Sequence, residues 1–291
     1  MVEINLDARG DLLPPSNGKI ALIDADTAIF AACCVTEIAM PLEESDFNSS
    51  VEWLECRRSP NYDVEKGILY SIDVQEAKRA ADAKLQDILE RSGCSSYELH
   101  FTSGRKNFRY KIYPEYKANR LGGRAPLGLR EVKDIFCEQD NAESFREWEA
   151  DDTVIAKMRA YPDKYVLCAV DKDVLYSLAG KHFNYYQNST KNMHYFDVDS
   201  ITAMKHHYKQ VLTGDSSDNV PGLKRVGPKT ADKILASCTT EKECWDTVVA
   251  TYEAKGKDVI DALTVMRLVN THQVSYSEDK GYTLKLWEPP C

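Results

Sequence analysis

Acidic side chains stand in four separated groups along the chain: Asp24; Glu149, Asp151 and Asp152; Asp171 and Asp173; Asp215 and Asp218. Taken singly, each has an ordinary structural explanation. Asp151 and Asp152 suit the positive end of a helix, Asp173 suits a cap, and Asp215 suits a turn. Taken together they suggest chemistry. Asp24 closes the apolar run "KIALID" and Asp171 follows the apolar run "KYVLCAV". Both runs read as buried strands that belong side by side in a parallel sheet, and ligands of open α/β sheets gather at the carboxyl ends of the strands. Carboxylates crowded into one crevice repel and raise each other's pKa unless hard divalent cations neutralise them. Because Mg²⁺ takes few protein carboxylates and keeps its waters, seven or eight acids suit two ions better than one. Two ions roughly 3.5–4 Å apart clamp the attacking and leaving oxygens in phosphodiester hydrolysis.

The basic residues point to the same kind of substrate. Nine of them lie between Gly104 and Lys133 against two acids, Glu115 and Glu131, a local net of +7 in a chain whose net charge is −9. An acidic protein with one concentrated basic stripe fits a localised polyanion site better than indiscriminate coating of nucleic acid. The stretch "TGDSSDNVPGLKRVGPKTADKIL" then sets Asp215 and Asp218 directly before a turn rich in glycine, proline and lysine. A tight turn into a helix offers backbone N–H groups to a phosphate, with Lys224, Arg225 and Lys229 adding charge. Within it "GLKRVGPKT" is close to a nucleotide-binding P-loop, but Pro228 is inserted before the lysine and no buried strand precedes it, so an NTPase has little support.

The elements that must hold these residues can be read coarsely. After "KIALID" comes the helix "TAIFAACCV", with Asp26 placed as its cap. Residues 36–72 are acidic and irregular, with short strands expected at "VEWLEC" and "GILYSI". Asp73 and Glu76 have the capping-box spacing for the helix "VQEAKRAADAKLQDILERSG". The strand "YELHFT", the basic segment, helices at "REVKDIFCEQ" and "EADDTVIAKMRA", and the strand "KYVLCAV" follow. "HFNYYQNSTKNMHYF" reads as a hairpin turning at "NSTKN", and the last third is helical until a closing hairpin in "HQVSYSEDKGYTLKLW". Alternating strands and helices imply an α/β fold with a mostly parallel central sheet flanked by helices, followed by a helical part.

At 291 residues and 43% hydrophobic, the chain can bury a full core. The first twenty residues lack a basic start followed by an apolar run, which reads as a soluble, cytoplasmic protein with no membrane partner. Nine scattered cysteines contain no C-x-x-C pair, which favours reduced thiols over zinc or a redox motif. The adjacent His206 and His207 point to different helix faces and read as surface residues.

In this order, "LIDAD", "NFRYKIYPEYKANR", "EADD", "DKD" and "GDSSDNVPG" followed by "VGPKTA" resemble the 5′ nuclease superfamily. That superfamily comprises flap endonucleases, the 5′-nuclease domains of bacterial DNA polymerases and bacteriophage 5′→3′ exonucleases. The resemblance implies a PIN-like nuclease core over residues 1–198, with a basic arch near 104–148. It also implies a DNA-binding part over 199–291, with a helix-hairpin-helix element and a C-terminal hairpin packed back on the core. Asp24, Glu149 and Asp151 would serve a first metal site, with Asp152 beside them among the metal-site acids, and Asp171, Asp173, Asp215 and Asp218 a second. Lys117 and Arg120, three apart, would hold the scissile phosphate and stabilise charge developing on it. Arg109 matches a further basic position, and Tyr116 is placed to stack on a base. Lys224, Arg225, Gly227 and Lys229 belong to the hairpin that grips the duplex.

The expected cofactors are two Mg²⁺, with Mn²⁺ as a substitute, and K⁺ at the hairpin. The expected partner of a monomeric enzyme is duplex DNA with a 5′ end, nick or flap, cut in replication or primer removal to leave a 5′-phosphate and a 3′-hydroxyl. The length resembles a stand-alone phage enzyme, which would work in the bacterial host cytoplasm. Two positions depart from the pattern: Thr102 stands where the family usually has an aspartate, and Arg225 where the hairpin usually has its first glycine. A DNA-structure-binding protein with a degenerate nuclease site and a PIN-type ribonuclease are the rival readings.

Overall fold

The computed structural model describes residues 14–104, 106–120, 122–188 and 191–291. Its elements run β1 (Ile20–Asp24), α1 (Asp26–Thr36), β2 (Ile38–Pro41), α2 (Ser50–Arg58), β3 (Tyr62–Asp63), β4 (Ile68–Ser71) and α3 (Val74–Ser92). Next come β5 (Ser96–Thr102), α4 (Arg109–Ile112), α5 (Leu129–Cys137), β6 (Ala142–Phe145), α6 (Ala150–Ala160), β7 (Tyr165–Ala169) and α7 (Lys172–Leu175). The chain continues through β8 (Gly180–Asn184), β9 (His194–Val198), α8 (Ser200–Thr213), α9 (Pro228–Ile234), α10 (Glu241–Ala254), α11 (Val259–Val269), β10 (Val274–Ser277) and β11 (Gly281–Leu284).

Two compact units emerge. The larger comprises the described residues up to Ala25, Ile88–Gly123 and Asn141–Cys291. Its sheet has the order β6-β5-β1-β7-β8-β9, parallel throughout except for the last pair. The apolar runs β1 and β7 are adjacent and almost wholly buried, as continuous runs in a covered parallel sheet should be. Leu22 of β1, Leu167 of β7 and Val154 and Ile155 of α6 share one core, while Val211, Trp245, Val248, Tyr252 and Met266 form the core of the helices that follow. The hairpin β8–β9 forms as expected. The turn expected at "NSTKN" includes Ser189 and Thr190, which lie outside the described residues. Among the described residues no helix is long and apolar enough to cross a membrane.

The smaller unit, Asp26–Asp87 with Arg124–Asp140, carries the antiparallel sheet β2-β4-β3. The strand at "GILYSI" is present as β4, but "VEWLEC" is helical. Its alternation of apolar and acidic residues mimics a strand. The deciding feature is the start of the helix, where the Ser49 hydroxyl accepts from the Glu52 N–H and the Glu52 carboxylate accepts from the Asn48 N–H. The cap at Asp73 is as expected, accepting from the N–H groups of Gln75 and Glu76.

The segment after α8 owes its shape to two glycines. Asp215 and Val220 exchange backbone hydrogen bonds, which closes "DSSDNV" into a tight loop. At its base Gly214 has φ 68°, and a Cβ on Gly222 would lie 2.0 Å from the Thr213 carbonyl oxygen. Backbone touches backbone there, so nothing flexible can yield. Gly222→Ala is therefore expected to cost about 2–3 kcal/mol in urea unfolding, at the upper end for overpacking. A cost below about 0.5 kcal/mol would show that the approach is loose. Further on, Leu223, Val226, Ala231 and Leu235 are buried while Lys224, Arg225, Gly227 and Lys229 are exposed. Gly227 caps α9 with Pro228 at its first position, the place where a missing N–H costs nothing. Arg225, standing where the resemblance leads one to expect glycine, has the glycine-type φ of 64°, at a cost of about 1–2 kcal/mol. The residue departs from the pattern; its left-handed backbone is one that glycine would readily adopt.

Candidate metal centre

Parallel pairing brings the ends of β1, β5 and β7 to one edge of the sheet. Asp24 ends β1, and Asp171 follows β7 by two residues and caps α7, accepting from the Asp173 N–H at 2.8 Å. Glu149 caps α6 and places Asp151 in its first turn. Thr102, at the end of β5, accepts from the Ala150 N–H at 3.0 Å. At the position of the absent aspartate, a hydroxyl thus tethers the helix that carries Asp151. Asp215 Oδ1 accepts from the N–H and hydroxyl of Ser217, the local hydrogen bonding that shapes its own loop.

The electrostatics show that these acids face one another. Burial, then Asp24, Asp171 and Glu149, push the Asp151 carboxyl well above the usual range. Asp171 is raised by burial and by Asp173, Asp218 and Asp215. Asp218 is raised by burial and by Glu149, against Lys117, the Tyr116 hydroxyl and Arg120. Glu149 goes the other way: burial raises it, but Lys117 and Arg109 outweigh burial and hold it low. Seven carboxylates from four segments thus share one field. All-oxygen donors of this kind suit hard divalent cations, and the buried Asp173 Oδ1 accepts no hydrogen bond, with His206 Nε2 at 3.5 Å. Asp24, Glu149 and Asp151 together with Asp171, Asp173, Asp215 and Asp218 are the residues that would hold them.

Asp152 does not belong to that set. It is fully buried, and both its oxygens accept from Arg109, Nη1 to Oδ2 and Nη2 to Oδ1, each at 2.6 Å. The Glu149 N–H also donates to it, and Arg109 Nε donates to the Leu268 carbonyl. Asp152 points away from its neighbour Asp151 because successive helical residues face different directions. Arg109 is accordingly 2% exposed and is a buried counterion rather than a DNA contact. Tyr116, expected to stack on a base, is also 2% exposed, and its hydroxyl donates to Glu149 at 2.9 Å and Asp218 at 2.7 Å. A ring so enclosed offers no face to a base.

Lys117 and Arg120 do reach the carboxylates. Lys117, with φ 56°, places Nζ 2.5 Å from Glu149 and 3.5 Å from Asp218. Arg120 Nη2 lies 2.5 Å from Asp218 and its side chain is half exposed. Burial lowers the Lys117 pKa, but Glu149, Asp218 and Asp151 raise it further, so the ammonium stays charged. The two cations sit at the rim of the acidic field, near enough to meet an anion drawn to it.

Sequence reading missed the clamps that join these segments. Asn119 donates to the Ser216 carbonyl, Asn219 donates to the Glu115 carbonyl, and the Lys117 N–H donates to the Asp218 carbonyl. Their signal was the presence of asparagines beside charged residues in both loops. His207, read as exposed, is buried with its Nε2 against the Thr271 hydroxyl. Glu98, His100 and Glu143 also bring ligand atoms within 4.8 Å of one another. There the Lys157 ammonium bonds both glutamates and serves in place of a cation. Burial lowers His100 to about 3, so it is neutral.

No family model matches the chain. Among curated proteins it is 26% identical over 191 residues to DNA polymerase I of Lactococcus lactis, a match covering 60% of this chain and 22% of that protein. It is 30% identical over 153 residues to the 5′-3′ exonuclease of Bacillus subtilis, a match covering 47% and 50%. The T5 5′-exonuclease with bound zinc ions superposes with a TM-score of 0.52 over 67% of this chain and 81% of that one, at 16% identity. In sequence the chain resembles a 5′-3′ exonuclease and DNA polymerase I, and in structure the T5 5′-exonuclease. Its mostly parallel sheet flanked by helices is the fold it shares with that exonuclease. The chain spans between about a fifth and a half of the length of these two curated relatives.

Crowding acids into one site works against stability. The folded-state pKa of Asp151 lies above its unfolded value, so the folded protein binds more protons between the two. The Asp151 contribution to stability should therefore fall as pH rises above about 3.9, the ordinary aspartate value. In EDTA, Asp151→Asn should raise the melting temperature at pH 7, and the gain should shrink toward pH 4. An equal or lower melting temperature for Asp151→Asn at pH 7 would show that its charge is already compensated within the protein.

Proposed function

We propose that the chain is a divalent-metal-dependent 5′ nuclease that hydrolyses DNA phosphodiester bonds at or near 5′ ends, as 5′→3′ exonuclease, flap endonuclease or both. The observation that carries this reading is the convergence of Asp24, Glu149, Asp151, Asp171, Asp173, Asp215 and Asp218 on one field, with Lys117 and Arg120 at its rim. Mg²⁺ is the cation we assign, in two sites. Bound there, the ions supply charge neutralisation and a water of lowered pKa for in-line displacement. Lys117 and Arg120 would exchange their carboxylate partners for the scissile phosphate and stabilise the charge that develops on it. Tyr116 and Thr102 position the site: the first holds Glu149 and Asp218 together, and the second tethers α6.

The test is cleavage of 5′-labelled duplex, nicked and flapped DNA, and of matched RNA, with and without Mg²⁺. Release of 5′-phosphorylated product from DNA, abolished by EDTA, is expected. Binding without cleavage of any DNA at saturating Mg²⁺ or Mn²⁺ would instead mark a structure-binding protein, and faster cleavage of RNA a ribonuclease.

The turn from α8 to α9 is proposed as the helix-hairpin-helix grip on the duplex, supported by the exposure of Lys224, Arg225, Gly227 and Lys229 over an apolar base. Changing Lys224 and Lys229 to alanine should lower duplex affinity and flatten its dependence on log salt by about one unit per lost phosphate contact. Cleavage of prebound substrate should survive. A slope unchanged from wild type would remove these lysines from the interface.

A further inference from the structure

A cavity of about 710 Å³ adjoins the carboxylates on the side of Asp173 and Asp215, within the usual range for small-molecule sites. One wall is α7 and the residue after it, where Lys172, Asp173 and Tyr176 turn toward the opening. The other wall is α8, which lines it with Ile201, Lys205 and Lys209 at intervals of four residues, one face of the helix. Tyr176 and Ile201 are 41% and 45% exposed, two large apolar side chains open to solvent in a cavity whose far end is acidic. The Tyr176 ring is braced by stacking on His206 and by Phe196, so it is a held platform rather than a loose one. The lysines are only lightly engaged. Lys209 pairs with the exposed Asp232, and Lys205 donates to the Ala236 carbonyl. Lys172 has no ion pair among the described residues.

Resting on the 5′ nuclease reading, we infer that this cavity is a nucleotide subsite, binding one 5′-phosphorylated deoxynucleotide unit with its base on Tyr176 and Ile201 and its phosphate toward Lys172 and Lys205. Tyr116, beside the same carboxylates, is enclosed and offers no such face. Tyr176 is three residues from Asp173, so a nucleotide stacked on it lies within one helical turn of the carboxylate field. An open aromatic face accepts any base, and Lys172 and Lys205 at the same mouth favour a phosphate, so the ligand class is a nucleotide rather than a nucleoside or an apolar molecule. The unit could come from the strand itself or be the mononucleotide released by cleavage.

Isothermal titration of the full chain with thymidine 5′-monophosphate, thymidine and a 5′-phosphorylated oligothymidylate, each in EDTA and in Mg²⁺, tests this. The monophosphate is expected to bind in EDTA and thymidine at least about tenfold more weakly. Tyr176→Ala should weaken the monophosphate about tenfold, from the usual contribution of one stacked base. Tyr176→Phe should restore it, and Lys205→Ala should narrow the gap between monophosphate and thymidine. Tyr176 dependence of the oligonucleotide as well places the subsite on the strand path; dependence of the monophosphate alone makes it a product site. Equal affinities for thymidine and its monophosphate, or a monophosphate affinity indifferent to Tyr176→Ala in a folded variant, overturns the inference. A protein that cleaves DNA yet binds no monophosphate loses the subsite and keeps the nuclease reading. One that binds it through Tyr176 and cleaves nothing keeps the subsite and loses that reading.

Discussion

Asp151→Asn is expected to cleave 5′-ended DNA more than about 10²-fold more slowly than the parent while binding it as tightly. Changes to groups that merely support a metal ligand cost roughly 10- to 100-fold, and Asp151 lies nearer the centre than any such group. Asp24, Asp171 and Glu149 all act on it, so it stands where the fields of the first and second carboxylate groups overlap. The exchange of one oxygen for an amide keeps the volume and removes the charge. It does not touch Lys224 or Lys229, so duplex affinity in the absence of cleavage should hold. Single-turnover rates at saturating enzyme and Mg²⁺ give the measurement. A folded Asp151→Asn protein turning over within threefold of the parent would remove Asp151 from the cation site. The melting-temperature experiment in EDTA runs in the opposite direction, so a loss of rate with a gain of stability would separate a functional carboxylate from a structural one.

Arg109→Leu is expected to destabilise the protein by about 3–5 kcal/mol, the range for removing one partner of a buried ion pair. Asp152 would be left fully buried with its two shortest hydrogen bonds gone, and the Leu268 carbonyl would lose its donor. Because Asp152 is the partner, Arg109→Leu with Asp152→Leu should recover much of the loss, since the isolated charge is the larger part of the cost. Urea denaturation of the two single variants and the double variant measures the coupling. If Arg109 instead served DNA directly, Arg109→Leu would keep its stability and lose affinity. That pattern would overturn the buried-counterion assignment.

Motif by motif, the candidate site was legible because its residue types are unusual for their places. Acids at the ends of apolar strands have few reasons to be there, and Asp24 and Asp171 gave the crevice away before any pairing was known. The hairpin in "HFNYYQNSTKNMHYF" and the cap at Asp73 are local, decided within a few residues, whereas six residues of alternation in "VEWLEC" fit a strand and a capped helix alike. Asp151 and Asp152 show the limit. Adjacent in sequence, identical in type and both in the first turn of α6, they differ only in direction, and a helix start gives no rule for which neighbour will be met by an arginine 43 positions away. Tyr116 shows it again, since nothing in "YPEYKANR" says that its ring is enclosed by a loop 102 residues further on.

By itself, then, the order and type of the residues determined most of the strands and helices of the larger unit, the parallel α/β class, the acidic crevice and the basic rim, since these follow from periodicity, capping and charge within short windows. Tertiary structure alone decided which of the eight acids face one another, that Arg109 spends its charge on Asp152, that Tyr116 ties Glu149 to Asp218, and that Tyr176 is left open beside them. The physical reason is range. Backbone geometry and local hydrogen bonds act over a few residues, whereas burial, ion pairing and mutual pKa shifts depend on which distant segments the sheet order β5-β1-β7 brings within a few ångströms.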